Sequence, residues 1–273
     1  MDISENILIG TSGFDYPEWK GVFYPQDLKR EEFLEYYATQ FNALEINNSF
    51  YNMPDQHRLR KFYDRTEGKL FFSIKANRTL THEIDSDWKK RADEMRIALL
   101  PLLQKGVLSS LLFQLPQSFH YTPQNRYYLS ALLQEFEGYP VTVEFRHKEW
   151  IKPSVFEGLG KRGASIVFCD MPQLKALPDG TVCQTPFIGP CAYLRMHGRN
   201  ADAWYVSENA SGRYDYDYSI SELECFVPVI QAAVNEKRII QAYFNNHPRG
   251  NGARNAGEFK MILSKAFKNK NID

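Results

Sequence analysis

Val141-Thr142-Val143-Glu144-Phe145-Arg146 is a hydrophobic run that ends in charge. Successive side chains of a strand point to opposite faces, so Glu144 and Arg146 share one face and Val141, Val143 and Phe145 the other. Charged groups on a buried face are costly unless they are partnered. The pattern recurs at residues 7–13, 43–49, 70–77, 111–115, 165–170, 192–197 and 241–246. That makes eight runs whose starts lie roughly 24–49 residues apart, about one strand–helix unit each. Within them Glu45 shares a face with Asn47, and Arg195 with His197. As parallel strands of one closed barrel, the runs bring these pairs together at one mouth.

Segments with helical periodicity lie between the runs. Residues 31–38 open with acids in the first turn, as the helix dipole favours, and 55–63 follow Pro54. Residues 92–104 set Ala98, Leu99, Leu102 and Leu103 at helical spacing, with Pro101 expected to bend or break the helix. Leu129, Leu132, Leu133 and Phe136 form an amphipathic stripe in 125–136. Further helices are expected over 153–160, 221–235 and 255–267, with Ser221 and Glu224 as a capping box. This alternation indicates a parallel sheet with helical crossovers. Eight units favour closure, and no G-x-G-x-x-G follows the first run. The predicted fold is α/β, a TIM-type (βα)8 barrel, with residues 1–273 as a single domain.

Hydrophobic residues make up 43% of the 273 and charged residues 24%, enough apolar material for a large core. The 33 basic and 33 acidic residues cancel, which argues against a broad polyanion-binding face but leaves room for a local basic pocket. Cys169, Cys183, Cys191 and Cys225 form no C-x-x-C pair, and free thiols are the expectation. The opening residues 1–6 are acidic and polar, unlike a secretory leader, and no apolar stretch reaches the ~18–20 residues that span a bilayer. A cytoplasmic protein with no membrane partner is expected.

Several motifs are specific in combination. Ile9-Gly10-Thr11-Ser12-Gly13-Phe14 leads to Tyr16-Pro17 and Trp19, and Glu45-Ile46-Asn47-Asn48-Ser49-Phe50-Tyr51 follows. Then come Phe72-Ser73-Ile74-Lys75-Ala76, Thr81-His82-Glu83, Phe113-Gln114-Leu115-Pro116 and Val143-Glu144-Phe145-Arg146-His147 with Trp150. Leu194-Arg195-Met196-His197-Gly198-Arg199 and Tyr243-Phe244-Asn245-Asn246 complete the set. Over nearly its whole length the chain resembles the domain-of-unknown-function 72 (DUF72, YecE-like) family. The resemblance implies a TIM-type barrel of unassigned activity, similar in structure to the metal-dependent endonuclease IV-type barrels. Two positions depart from the family pattern: Phe14 stands where Trp is frequent, and His247 where an acid often follows the paired Asn.

The strand ends carry the candidate chemistry. Glu45, Glu144 and Asp170 face the cations Lys75, Arg146 and Arg195, beside Asn47, Gln114, Asn245 and His197. One reading is an ion-pair network that plugs the barrel. The favoured reading is a site, because buried ion pairs are poor stabilisers. In it Arg146, Arg195 and Lys75 hold a small phosphate- or carboxylate-bearing ligand, helped by Asn47, Asn245, Asp170 and Arg199. Glu144, His197 and Glu45 are the candidate acid–base residues, and Lys75 becomes a nucleophile or base if its neighbours lower its pKa.

Residues 247–255, with Arg249, Gly250, Gly252 and Arg254, lie where many barrels bind phosphate. The long stretch 198–219 holds Trp204, Tyr205, Tyr214, Tyr216 and Tyr218. Packing of these rings on the barrel rim is the stronger reading, and stacking on a base or sugar the weaker. A nucleotide or single-stranded nucleic-acid module is therefore one alternative function. A metal-dependent phosphodiesterase is another, with His82, Glu83, His147 and His197 as possible ligands. No H-E-x-x-H motif assigns a metal, and no motif assigns a cofactor or an oligomeric state.

Overall fold

Each of the eight apolar runs forms a strand. The computed structural model describes residues 6–178, 187–206 and 210–268. The strands are β1 Ile7–Ser12, β2 Ala43–Ile46, β3 Phe71–Lys75, β4 Leu108–Leu115, β5 Val141–Phe145, β6 Ser165–Asp170, β7 Cys191–Met196 and β8 Ile239–Phe244. All neighbours pair in parallel, and β1 pairs with β8 to close the barrel. Closure leaves no strand edge unpaired.

The helices are α1 Phe33–Gln40, α2 Gln56–Arg65, α3 Trp88–Gln104, α4 Pro123–Glu135, α5 Pro153–Gly160, α6 Ala210–Arg213, α7 Ile220–Glu224, α8 Val227–Asn235 and α9 Asn251–Lys268. Between β6 and β7 no helix occurs among the described residues. The opening residues 1–5 and Cys183 lie outside the described residues. Cys169, Cys191 and Cys225 are free thiols.

Strand alternation divides the core. Ile9, Leu44, Ile74, Phe113 and Val143 face the helices, whereas Leu8, Ala43, Leu112, Val167, Tyr193 and Tyr243 fill the barrel. The hydroxyls of Tyr193 and Ser73 meet at 2.7 Å across the interior, so the aromatic fill carries its own polar partner. Gly10 permits the tightest approach. A Cβ there would stand 1.9 Å from the Ala43 carbonyl oxygen and 2.6 Å from the Tyr37 hydroxyl. That hydroxyl donates to Ala43 O and accepts from Thr11 N, tying α1 to β1 and β2.

Three local expectations are corrected. Pro101 does not break α3, which continues to Gln104. The proline removes a bond to the carbonyl of Ile97, whose residue is half exposed, while buried Leu99 and Leu102 hold the last turn. The capping box is Ser219 with Glu222, not Ser221 with Glu224. Ser219 Oγ accepts from Glu222 N, and the Glu222 carboxylate accepts from Ser219 N. The single helix expected over 221–235 is split, because Pro228 in the first turn of α8 has no N–H with which to continue α7.

Candidate functional site

The inward residues at the C-terminal strand ends form a connected ionic layer. Arg195 of β7 is its centre. Its Nε and Nη2 donate to the two oxygens of Glu45 at 2.9 and 2.6 Å, and its Nη1 donates to Glu144 Oε2 at 2.7 Å. Both carboxylates are fully buried and Arg195 is 2% exposed. Glu45 also accepts from Ser12 Oγ and from the Tyr193 hydroxyl, each at 2.7 Å. The guanidinium fork assigned to a ligand from sequence is thus closed on two carboxylates. Three of its five N–H donors, including the paired Nε and Nη2, are spent on protein carboxylates, so the bidentate fork is not free for an anion.

Arg146 continues the chain of contacts. Its Nε donates to Glu144 Oε1, and its Nη2 lies 3.0 Å from His197 Nε2. Guanidinium only donates, so Nε2 accepts and the neutral ring carries its hydrogen on Nδ1. The contacting atom is Asn245 Nδ2, 2.9 Å from that Nδ1; a hydrogen on Nδ1 requires the amide turned so that its oxygen faces the ring. Burial and the Arg146 guanidinium push the His197 pKa down to about 3. Burial opposes the charge on Glu144, but the Arg146 and Arg195 guanidiniums outweigh it and hold that carboxyl well below its ordinary value.

Lys75 differs from the rest. It ends β3 half-buried, with its ammonium 4.2 Å from the centre of the Phe50 ring and, among the described residues, no carboxylate within ion-pair distance. Burial, then Arg195 and Arg146, lower its pKa to about 7 against a smaller opposing pull from Glu144 and Glu45. The β2–β3 register pairs Glu45 with Ser73 and Ile46 with Ile74, and Asn47 follows where the chain leaves the strand for a helical turn. Asn47 Oδ1 is buried without a hydrogen-bond partner among the described residues. Gln114 spends its amide nitrogen on the Leu115 carbonyl.

Asp170 and Arg199 fall outside this layer, which corrects their placement. Val167 and Cys169 point into the barrel, so Asp170, one residue on, points out. It accepts from Arg199 and, at 2.5 Å, from the Tyr218 hydroxyl; Arg199 also pairs with Glu222. Tyr218 in turn accepts from Gly198 N. These contacts tie Gly198, Arg199 and Tyr218 to the end of β6 at the rim. Trp204 and Tyr218 are each 2% exposed, and Tyr214 stacks on His197 at 5.5 Å. Tyr205 stays exposed.

The 247–255 segment is likewise closed. α9 begins at Asn251, a Cβ on Gly252 would lie 3.4 Å from the carbonyl oxygens of Phe244 and Asn246, and one on Gly250 would meet Val22. The glycines thus admit the protein's own chain. Arg249 pairs with Asp215 and Arg254 with Asp217.

Two groups among the described residues have metal-ligand proximity. Glu144, Cys169 and His197 are buried with ligand atoms within 4.8 Å, and His120, His147 and Glu149 gather on the rim. His82 and Glu83 join neither group. The buried trio fits a cation poorly, because Arg146 already occupies Glu144 Oε1 and faces His197 Nε2. Burial also drives the Cys169 thiol well above its ordinary pKa, away from the thiolate that binds metal.

Sequence reading missed Phe50, Tyr193 and Tyr214 as site neighbours. Tyr193 was detectable, since it shares the alternation of Arg195; the positions of Phe50 and Tyr214 depend on loop paths that alternation does not describe.

Residues 8–272 match the family described as "Protein of unknown function DUF72". The UPF0759 protein YunF of Bacillus subtilis is 26% identical over 270 residues, covering 94% of both chains. A DUF72 family protein from Thermotoga maritima is 32% identical, with a TM-score of 0.85 over 94% of this chain and 99% of that one. One from Enterococcus faecalis reaches a TM-score of 0.82 at 20% identity, over 94% and 95% of the two chains. A xylose isomerase-like TIM barrel protein from Mycobacterium smegmatis, in complex with magnesium, is 11% identical with a TM-score of 0.51, over 88% of this chain and 91% of that one. That last likeness concerns the fold alone.

Proposed function

The chain belongs to the DUF72 family, whose function is unknown, so its chemistry has to be read from its own site, and we propose that the barrel mouth binds a small phosphate- or carboxylate-bearing anion at Lys75. The carrying observation is the charge balance of the inner layer. Glu45 and Glu144 are matched by Arg195 and Arg146, and Lys75 is left as the excess cation with no carboxylate partner. A partly desolvated ammonium without a counter-ion attracts an anion more strongly than one in water. Arg146 Nη1, which makes no protein hydrogen bond, offers a second donor. Asn47 Oδ1 is left to accept from a hydroxyl of the ligand.

The division of labour differs from the sequence expectation. His197 is held neutral and Glu144 ionised throughout the neutral range, so neither exchanges a proton readily there. Their role in this proposal is to fix Arg146. The group that changes charge near neutrality is Lys75.

The nucleic-acid alternative is weaker, because Arg249 and Arg254 are neutralised by Asp215 and Asp217 and the tyrosine-rich segment is mostly packed down. The metal-dependent phosphodiesterase alternative is opposed by Arg146 on two of the three buried donors.

Thermal unfolding with phosphate, phosphorylated metabolites and small carboxylates tests the proposal. A ligand at about 100 times its Kd stabilises by ~2.7 kcal/mol, or roughly 5–10 °C for a chain of this size. The shift is expected in the wild type and lost in Lys75→Met. An equal shift in both would place the anion elsewhere.

A further inference from the structure

We propose that Lys75 forms an imine with carbonyl-bearing anions, so that the ligand class of the mouth is a 2-oxo acid or a related carbonyl carboxylate. This inference rests on the anion site and adds a covalent step to it.

The geometry distinguishes Lys75 from an ordinary anchoring lysine. A lysine that only binds charge is normally paired or solvated. This one has its ammonium against the Phe50 ring, with Arg195 and Arg146 as neighbouring cations and, among the described residues, no acceptor of its own. The groups facing it come from five places around the barrel. They are Arg195 on β7, Glu144 on β5 with Arg146 after it, Glu45 on β2, and His82 after β3. Because Arg195 and Arg146 are locked onto the two glutamates, neither carboxylate is free to swing onto Lys75 and restore a salt bridge. Desolvation beside fixed cations is a recognised way to keep a lysine amine unprotonated and nucleophilic. Consistent with this, its pKa lies at about 7, so a large fraction is neutral amine at neutral pH.

The step balances without any co-reactant. The Nζ lone pair attacks the carbonyl carbon and forms a C–N bond, and the C=O π electrons move to oxygen. The two hydrogens of the neutral amine leave with that oxygen as water, and the nitrogen lone pair closes the C=N bond. Nothing is oxidised or reduced. Arg146 Nη1 is the donor available to the carboxylate of the ligand, and Asn47 Oδ1 the acceptor available to the hydroxyl of the tetrahedral intermediate. The imine is an electron sink, so the reaction class served is one that makes or breaks a bond next to the former carbonyl carbon.

The experiment is reductive trapping on the intact protein. Wild type and Lys75→Arg are incubated at neutral pH with pyruvate or glyoxylate and cyanoborohydride, and modified peptides are mapped by mass spectrometry. A parallel arm uses propionaldehyde as a neutral carbonyl. Lys75 should be modified at least ~10-fold faster than exposed lysines, which are almost wholly protonated at this pH. The Lys75→Arg protein, which keeps the charge, should show only the background. Trapping of Lys75 by the oxo acids and not by propionaldehyde supports the inference. Equal trapping by the neutral aldehyde would overturn the assignment to anions. Labelling no faster than at surface lysines, with thermal stabilisation by pyruvate intact, would overturn the imine while leaving the anion site standing. Loss of both would overturn the two together.

Discussion

Replacing Arg195 with Met separates a structural role for this residue from a ligand-binding one. Three donors, at 2.6, 2.7 and 2.9 Å, serve two fully buried carboxylates. Without them Glu144 keeps Arg146, but Glu45 retains only the hydroxyls of Ser12 and Tyr193. Removing one partner of a buried pair typically costs about 3–5 kcal/mol, since the charge left behind stays desolvated. For a chain of this length that is a fall of roughly 6–20 °C in Tm. The assay is urea unfolding of wild type and Arg195→Met between pH 7 and pH 4. The sign follows from the depressed pKa of Glu144. Its contribution is present above the unfolded value of about 4.3 and is lost as pH falls through the lower folded value. Without Arg195 the Glu144 carboxyl protonates more readily, so the gap between the proteins should be widest at pH 7 and narrow towards pH 4. A loss below about 1 kcal/mol at pH 7, the range of an exposed ion pair, would refute the reasoning, as would a gap that stays constant with pH.

Three further outcomes are expected. The folded pKa of Lys75, about 7, lies below that of an unfolded lysine, so the unfolded chain binds more protons between pH ~7 and ~10 and wild-type stability rises across that window. Lys75→Met lacks this rise and should be at least ~1 kcal/mol more stable than wild type at pH 6, with the advantage gone by pH 10; parallel pH–stability curves would count against the depressed pKa. Gly10→Ala forces a methyl to 1.9 Å from the Ala43 carbonyl oxygen and should cost more than ~3 kcal/mol in chemical denaturation, whereas a loss under ~1 would mean that β1 and β2 can part there. Ser219→Ala should lower stability by ~1 kcal/mol and Ser221→Ala by far less; the reverse ranking would return the cap to Ser221.

Much of the barrel is legible in the chain because alternation and helical periodicity are local. The run that ends in Glu144 and Arg146 declares its inner face without reference to any other strand. The same rule places Glu45 beside Asn47 and Arg195 beside His197, and the structure brings those faces together. It also explains the misplacement of Asp170, which sits at a strand end but one step out of phase with Val167 and Cys169. The capping box was misread by two residues because S-x-x-E occurs twice in succession, at Ser219 and Ser221, and only the packing of α7 and α8 separates the two.

Parity along each strand, read from the sequence by itself, put Glu45, Glu144, Arg195 and His197 on inward faces, whereas Asp170 was assigned by its place at a strand end and fell outside. It did not determine which of them pair. Arg195 meets Glu45 across 150 residues of chain, and hydrogen bonds of 2.6–2.9 Å require the closed barrel to set their distances. From composition, three cations and three acids looked balanced. Tertiary structure moved Asp170 outside with Arg199 and satisfied Arg146 and Arg195 with the two glutamates. It left Lys75 beside an aromatic ring. Electrostatic pairing is short-ranged and geometric, so the identity of the unpaired charge was decided only when the strands closed.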